Sequence, residues 1–147
     1  MLGAVRPHSW DPALFLHVLG AMVFVGALVA AAVALLAASR DEDGARLRRL
    51  AFRTLLFVGL PAYVAMMVGA EWITSKEGFG GENDPTWLVI GIVVGDLTGL
   101  FLVMAIVLAG IASWKSKTDL GRATGALTTV ALIACVVAVW AMTSKPA

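Results

Sequence analysis

His17, Glu71 and Asp96 are the side chains of this sequence that fit their surroundings least. Each lies in, or at the end of, a long apolar run. An ionised carboxylate there costs a few kcal/mol on insertion scales, and polar groups must be partnered. His17 is followed on its own helical face by Gly20 and Ala21, which leave room for a ring, an ion or a close helix. A neutral imidazole can ligate a metal or haem iron, or relay protons near neutral pH. It can equally be satisfied by one neighbouring side chain. Asp96 stands eleven residues past Pro85, near mid-membrane at about 1.5 Å per residue. It is expected to face the bundle interior, find a partner or be protonated. It is therefore either an acid with a function or a donor that fixes packing. Glu71, beside Trp72, fits an interface residue better than a ligand. With Tyr63, these residues would gather polar groups in one half of the bundle. His8 could add a second imidazole only if the N-terminal segment folds back.

The elements that must position them are four apolar stretches, over residues 12–38, 50–72, 86–114 and 121–142. A hydrocarbon core of about 30 Å needs roughly 20 apolar helical residues, and each stretch meets that length. Inside lipid the backbone satisfies its polar groups only as a helix or a closed barrel, and no stretch alternates with period two. Sixty per cent of the residues are hydrophobic and 14 per cent charged, with a mean hydropathy of +0.89. Soluble domains carry about 25 per cent charged residues. The expected fold is a single all-α domain, residues 1–147: an integral membrane four-helix bundle of up-down-up-down order.

The charges orient it. Arg40, Arg46, Arg48, Arg49 and Arg53 lie between or near the first two stretches, and Lys115, Lys117 and Arg122 between the last two. Eight of the eleven basic residues thus fall on one side, against Arg6, Lys76 and Lys145 on the other. The positive-inside rule makes the two basic loops cytoplasmic and puts both termini outside the cytoplasm. The acidic run Asp41, Glu42, Asp43 counts for little in that rule. Trp10, Trp72, Trp87 and Trp140 mark the outward ends and Trp114 an inner end, the headgroup level that indole prefers. The first apolar run is too long for a signal-peptide core, so a multi-pass protein with no cleaved leader is expected.

Within the third stretch, Gly91, Gly95 and Gly99 form a small-xxx-small stripe that lets two helix backbones approach closely. Its partner is either the first helix of the same chain or a second copy. Pro61 lacks an N–H, so it leaves the Phe57 carbonyl without its helical donor and predicts a kink. The lone cysteine, Cys135, excludes an intrachain disulfide and reads as a small buried residue. The segment over residues 75–85 is Gly-rich and lacks calcium-loop spacing. No phosphate loop, dinucleotide fingerprint or paired-histidine motif is present, so soluble-enzyme chemistry has no support, and the basic residues are explained by orientation rather than nucleic acid.

The run Phe15-Leu-His17-Val-Leu-Gly20-Ala-Met-Val-Phe-Val-Gly26 resembles the first helix of an uncharacterised family of small bacterial predicted integral membrane proteins. Arg53-Thr-Leu-Leu, Pro61-Ala-Tyr63, Gly69-Ala-Glu71-Trp72 and the closing Trp140-Ala-Met-Thr-Ser-Lys145-Pro146 extend the resemblance. More distantly the chain is similar to copper-resistance-D-like membrane domains. The resemblance implies a bacterial inner-membrane location and, through the copper-related group, a metal-handling role for His17. Two functional readings follow. The first is a non-enzymatic accessory or assembly subunit in the lipid bilayer, packing through the glycine stripe as a homo-oligomer or in a larger membrane complex. The alternative is a protein that handles a metal, haem or a proton through His17 and Asp96, with haem or copper as the cofactor and Glu71 as a further candidate ligand.

Overall fold

The computed structural model describes residues 10–40, 44–78, 85–115 and 118–144. His8, the acidic run before Gly44, most of the Gly-rich segment and the closing Lys145-Pro146 lie outside them. Among the described residues all regular structure is helical. Four continuous helical rods are each long and apolar enough to cross a membrane. The first is α1, Asp11–Ala38, with Asp11 and Pro12 in its opening turn, where an acid suits the dipole and proline's missing N–H costs nothing. The second rod joins α2, Gly44–Thr54, through a π-helical turn at Leu55–Gly59 to α3, Leu60–Glu77. Gly78, at φ 72°, closes it in the left-handed conformation that glycine takes without penalty. The third is α4, Thr86–Lys115, and the fourth α5, Thr118–Ser144.

One boundary and one turn of the second rod differ from the sequence expectation. The second rod begins at Gly44 rather than residue 50, because its first turns are strongly amphipathic and carry arginines that a hydropathy reading excludes. Pro61 gives a π turn where a simple kink is expected. The Leu60 N–H donates to the Leu55 carbonyl, five residues back. Widening the turn re-registers the ladder just before the residue that cannot donate, a common way for a helix to absorb such a defect.

The core is built from small and branched residues: Phe24, Leu28, Ala31 and Leu35 of α1 meet Ala51, Leu55, Leu102, Ala105, Ala109 and Ala131. Alanines at the contacts bring backbones close, which matters in lipid because no hydrophobic drive pushes helices together. The outward faces carry large apolar groups such as Phe15, Met22, Phe57 and Val136, a surface that suits hydrocarbon and not water. Buried Thr98, Thr124 and Thr128 donate to the carbonyls of Val94, Leu120 and Thr124 on their own helices, so they ask nothing of their neighbours.

α1 and α3 approach each other backbone to backbone at two glycines. A Cβ on Gly20 would stand 2.6 Å from the Met66 amide nitrogen and 2.9 Å from the Ala62 carbonyl oxygen. A Cβ on Gly69 would stand 2.5 Å from the His17 amide nitrogen. Backbone meets backbone at both places, and neither side can give way. The other pairings are uneven: α4 packs along α5, α1 also contacts α5, and α2 packs on α4, whereas α3 barely touches α4. The two therefore part above the π turn.

At the opposite end Arg48 is buried, its Nη1 3.0 Å from where a Gly44 Cβ would lie and its Cδ 3.3 Å from that of Gly121. Its Nε has no hydrogen-bond partner. Glycines at 44 and 121 give the guanidinium stem its slot between the first turns of α2 and α5.

The glycine crossing generates a prediction. Gly20→Ala and Gly69→Ala should each destabilise by about 1–3 kcal/mol, the usual cost of overpacking. Gly26→Ala, whose new methyl would meet nothing within 4 Å, should be neutral. Thermal unfolding in detergent checks this, and equal stability of all three variants would contradict it.

Candidate functional site

His17 takes its position from that crossing. Because Gly69 lacks a side chain, the α1 backbone comes close enough for the imidazole to reach across to α3. His17 Nδ1 lies 2.8 Å from the Met66 carbonyl oxygen. A carbonyl only accepts, so Nδ1 carries the proton, and in the neutral ring Nε2 holds a free lone pair. The partner is a main-chain atom, not the side chain that sequence reasoning considers.

His17 lines a cavity of about 420 Å³ where α3 and α4 part. The walls are mostly apolar, with Ala21 and Phe24 from α1, Met66 and Met67 from α3, Gly95 and Thr98 from α4, and Cys135 from α5. That size and lining are those of small-molecule and cofactor sites: apolar walls with a few placed polar groups. Glu71 and Thr74 also line it, and Glu71 is exposed. The Thr74 hydroxyl donates to the Ala70 carbonyl at 2.9 Å, which leaves His17 and Glu71 as the ionisable groups of the site beside the Cys135 thiol. Next to Glu71, the Lys76 ammonium sits 5.9 Å from the centre of the Trp72 ring, an arrangement suited to a headgroup boundary.

Asp96 is elsewhere. It is exposed, beside the contact of α4 with α3, and it does not line the cavity. It lies near enough to Tyr63 for an electrostatic interaction between them. An inward-facing Asp96 is thus not what the helix presents, because Gly95 and Thr98 hold the inward positions on either side of it. The structure brings His17 and Glu71 to one cavity and leaves Asp96 on the flank.

The glycine stripe faces α3 rather than α1. A Cβ on Gly99 would collide with the Tyr63 hydroxyl, and one on Gly95 would make ordinary contact with Met67 Sδ at 3.5 Å. Gly91 lines the cavity. The Tyr63 hydroxyl donates to the Gly95 carbonyl at 3.0 Å, and its ring packs on Phe24 with centroids 5.5 Å apart. Tyr63 therefore does not line the cavity but ties α3 to α4 behind two residues that do, Phe24 and Gly95. Sequence reasoning passes over this role, although an aromatic hydroxyl two residues past a proline in an apolar run signals a polar partner nearby.

A metal held by protein side chains alone does not fit. Among the described residues no three His, Cys, Asp or Glu converge as metal ligands. The described residues therefore offer no such donor set for the copper that the family resemblance implies.

The Tyr63 tie yields a second prediction. Gly99→Ala should displace Tyr63 and forfeit its hydrogen bond, worth about 1 kcal/mol, with overpacking added. Gly95→Ala should change stability by less than about 0.5 kcal/mol, as substitutions with room do. Unfolding of the two variants side by side decides it, and a larger loss at Gly95 would refute the role of Tyr63 as the tie between α3 and α4.

No family model matches the chain, and neither a curated protein nor a solved structure is significantly similar to it. The site's chemistry rests on its own residues.

Proposed function

We propose that this chain is a small membrane protein that admits a lipophilic metal-bearing macrocycle of the haem class into the cavity between α3 and α4, with His17 Nε2 as the protein ligand. The observation that carries this reading is the hydrogen bond from His17 Nδ1–H to the Met66 carbonyl, 2.8 Å long, at the wall of an apolar cavity. A histidine that ligates a metal almost always donates its other ring N–H to a carbonyl or carboxylate, which fixes the tautomer and makes the free nitrogen more basic. A macrocycle supplies four of the metal's ligands itself, so one imidazole suffices where a bare ion would need a cluster. When bound, such a group supplies electron-transfer or oxygen chemistry. The chain's own residues orient it, exclude water through Phe24, Met66 and Met67, and offer Glu71 as an acid at the edge.

The membrane placement in this reading is up-down-up-down, with both termini and the cavity on the outer side of a bacterial plasma membrane. Its support is the eight-to-three division of basic residues. The contact register agrees: Gly125 meets Leu35, Gly110 meets Phe52 and Gly95 meets Met67.

Purified protein titrated with haem should give a shifted, saturable Soret band. His17→Ala should weaken binding at least about tenfold, the low end of what losing even a supporting contact costs a metal site. Added imidazole should restore the spectrum. An unshifted band, or one unchanged by His17→Ala, would sink this reading.

A second reading, an accessory subunit, is favoured by the exposure of Asp96. By helical rise it stands about 15 Å from the start of α4, half a hydrocarbon core, where a carboxylate facing lipid costs about 3 kcal/mol. A neighbouring chain that offers a donor would relieve that cost. Asp96→Leu should then shift the detergent-solubilised assembly toward the monomer by light scattering. An assembly state that does not change would remove the reason for this reading.

A further inference from the structure

We propose that the crevice between α2 and α4 at the Arg48 end binds the headgroup phosphate of an anionic phospholipid, gripped by Arg49 and Arg53. This site is independent of the His17 cavity. It is a separate hollow of about 420 Å³ lined by Arg49, Phe52, Arg53, Ser113 and Trp114. Its base is built by one close contact: a Cβ on Gly110 would lie 3.3 Å from Phe52 Cε2, so glycine there lets the Phe52 ring lie against α4. The Ser113 hydroxyl donates to the Gly110 carbonyl at 2.7 Å. Its proton is committed, and the donors left in the hollow are the guanidinium N–H groups and the indole N–H of Trp114.

Arg49 and Arg53 stand four residues apart on one helical face, both exposed. Like charges at that spacing repel each other. Among the described residues the ion pair at this end joins Arg122 to Asp119 and leaves these two unmatched. An anion between them turns repulsion into attraction. The guanidinium fork matches phosphate oxygens in a two-point arrangement, and such charge-assisted bonds are among the strongest available.

The lining also selects the source of the phosphate. Trp114 is 88% exposed beside the arginines, at the level where indole meets headgroups. Leu50 and Ile111, both exposed, continue the surface as hydrocarbon. A free phosphate would use only the polar part of this hollow, whereas a phospholipid uses both. Two cations with no acid in the lining favour a headgroup that carries phosphate and no ammonium, such as phosphatidylglycerol, over phosphatidylcholine.

The test places purified protein in phosphatidylcholine nanodiscs with graded phosphatidylglycerol and counts retained lipid by native mass spectrometry. The wild type should enrich phosphatidylglycerol. Arg49→Gln with Arg53→Gln should lose that enrichment by roughly fivefold per arginine. Arg46→Gln removes the same charge from the same helix outside the hollow and should retain it. If the double Gln variant fails to fold, Arg49→Lys with Arg53→Lys keeps the charge without the fork and should still weaken retention. Equal loss in Arg46→Gln would mean diffuse attraction and overturn the site. Displacement of the lipid by equimolar inorganic phosphate or glycerophosphate would make the occupant a free phosphate and overturn the lipid assignment.

Discussion

The contact of two bare backbones at Gly20 and Gly69 governs the rest of this molecule. In lipid, helices gain nothing from burying leucine against leucine, so they adhere through van der Waals contact and the few polar bonds that proximity allows. The two glycines reciprocate: each removes the side chain that would hold off the other helix's main chain. Only at that separation can the His17 ring reach the Met66 carbonyl, and only that bond fixes which imidazole nitrogen keeps a lone pair. One packing event thus sets both a helix crossing and the tautomer of the neutral imidazole.

The same contact accounts for the cavity. Below the π turn the second rod lies against α4, where Gly110 receives Phe52. Above it the rod is held by α1 and parts from α4. α1 packs along the whole rod, so Leu55–Gly59 and Pro61 lie where α4 alone departs, and a widened turn is a natural place for a helix to alter direction. Tyr63 spans the fork two residues on, donating to Gly95 as the last tie before the helices separate. The cavity is thus bounded by two cross-helix bonds, from His17 to Met66 and from Tyr63 to Gly95, each ending on a carbonyl.

Much of this was legible in the residues. Apolar runs of about 20 residues without period-two alternation cross a bilayer as helices, so four helices follow from length and pattern together. The glycine stripe of α4 announced a close neighbour, though not which one, because a stripe reports the space it leaves and not what fills it. The start of α2 escaped detection because Gly44 to Arg49 are helical through amphipathicity rather than hydrophobicity. Asp96 misled for a related reason. Its cost in lipid argues for an inward position, yet helical geometry gives the inward positions to Gly95 and Thr98. His17 stood out by chemistry, but its acceptor is a main-chain oxygen 49 residues away and carries no side-chain signal. The decisive glycines share that distance and belong to no repeat.

How each polar group is satisfied separates those that build the fold from those that remain available. Thr98, Thr124 and Thr128 return their protons to carbonyls one turn back, so a hydroxyl inside the span need not imply a function. Ser113 and Thr74 do the same near the ends. His17 differs because an imidazole has two nitrogens and the bond to Met66 uses one. Arg49 and Arg53 differ because no described acid neutralises them. Asp96 differs because the helix turns it outward. Besides Arg48 Nε in its slot, the described residues that stand out as available are therefore one nitrogen lining a cavity, two cations in a crevice and one acid on the outer face of α4. Each asks for a partner of different chemistry, and none can serve the needs of another.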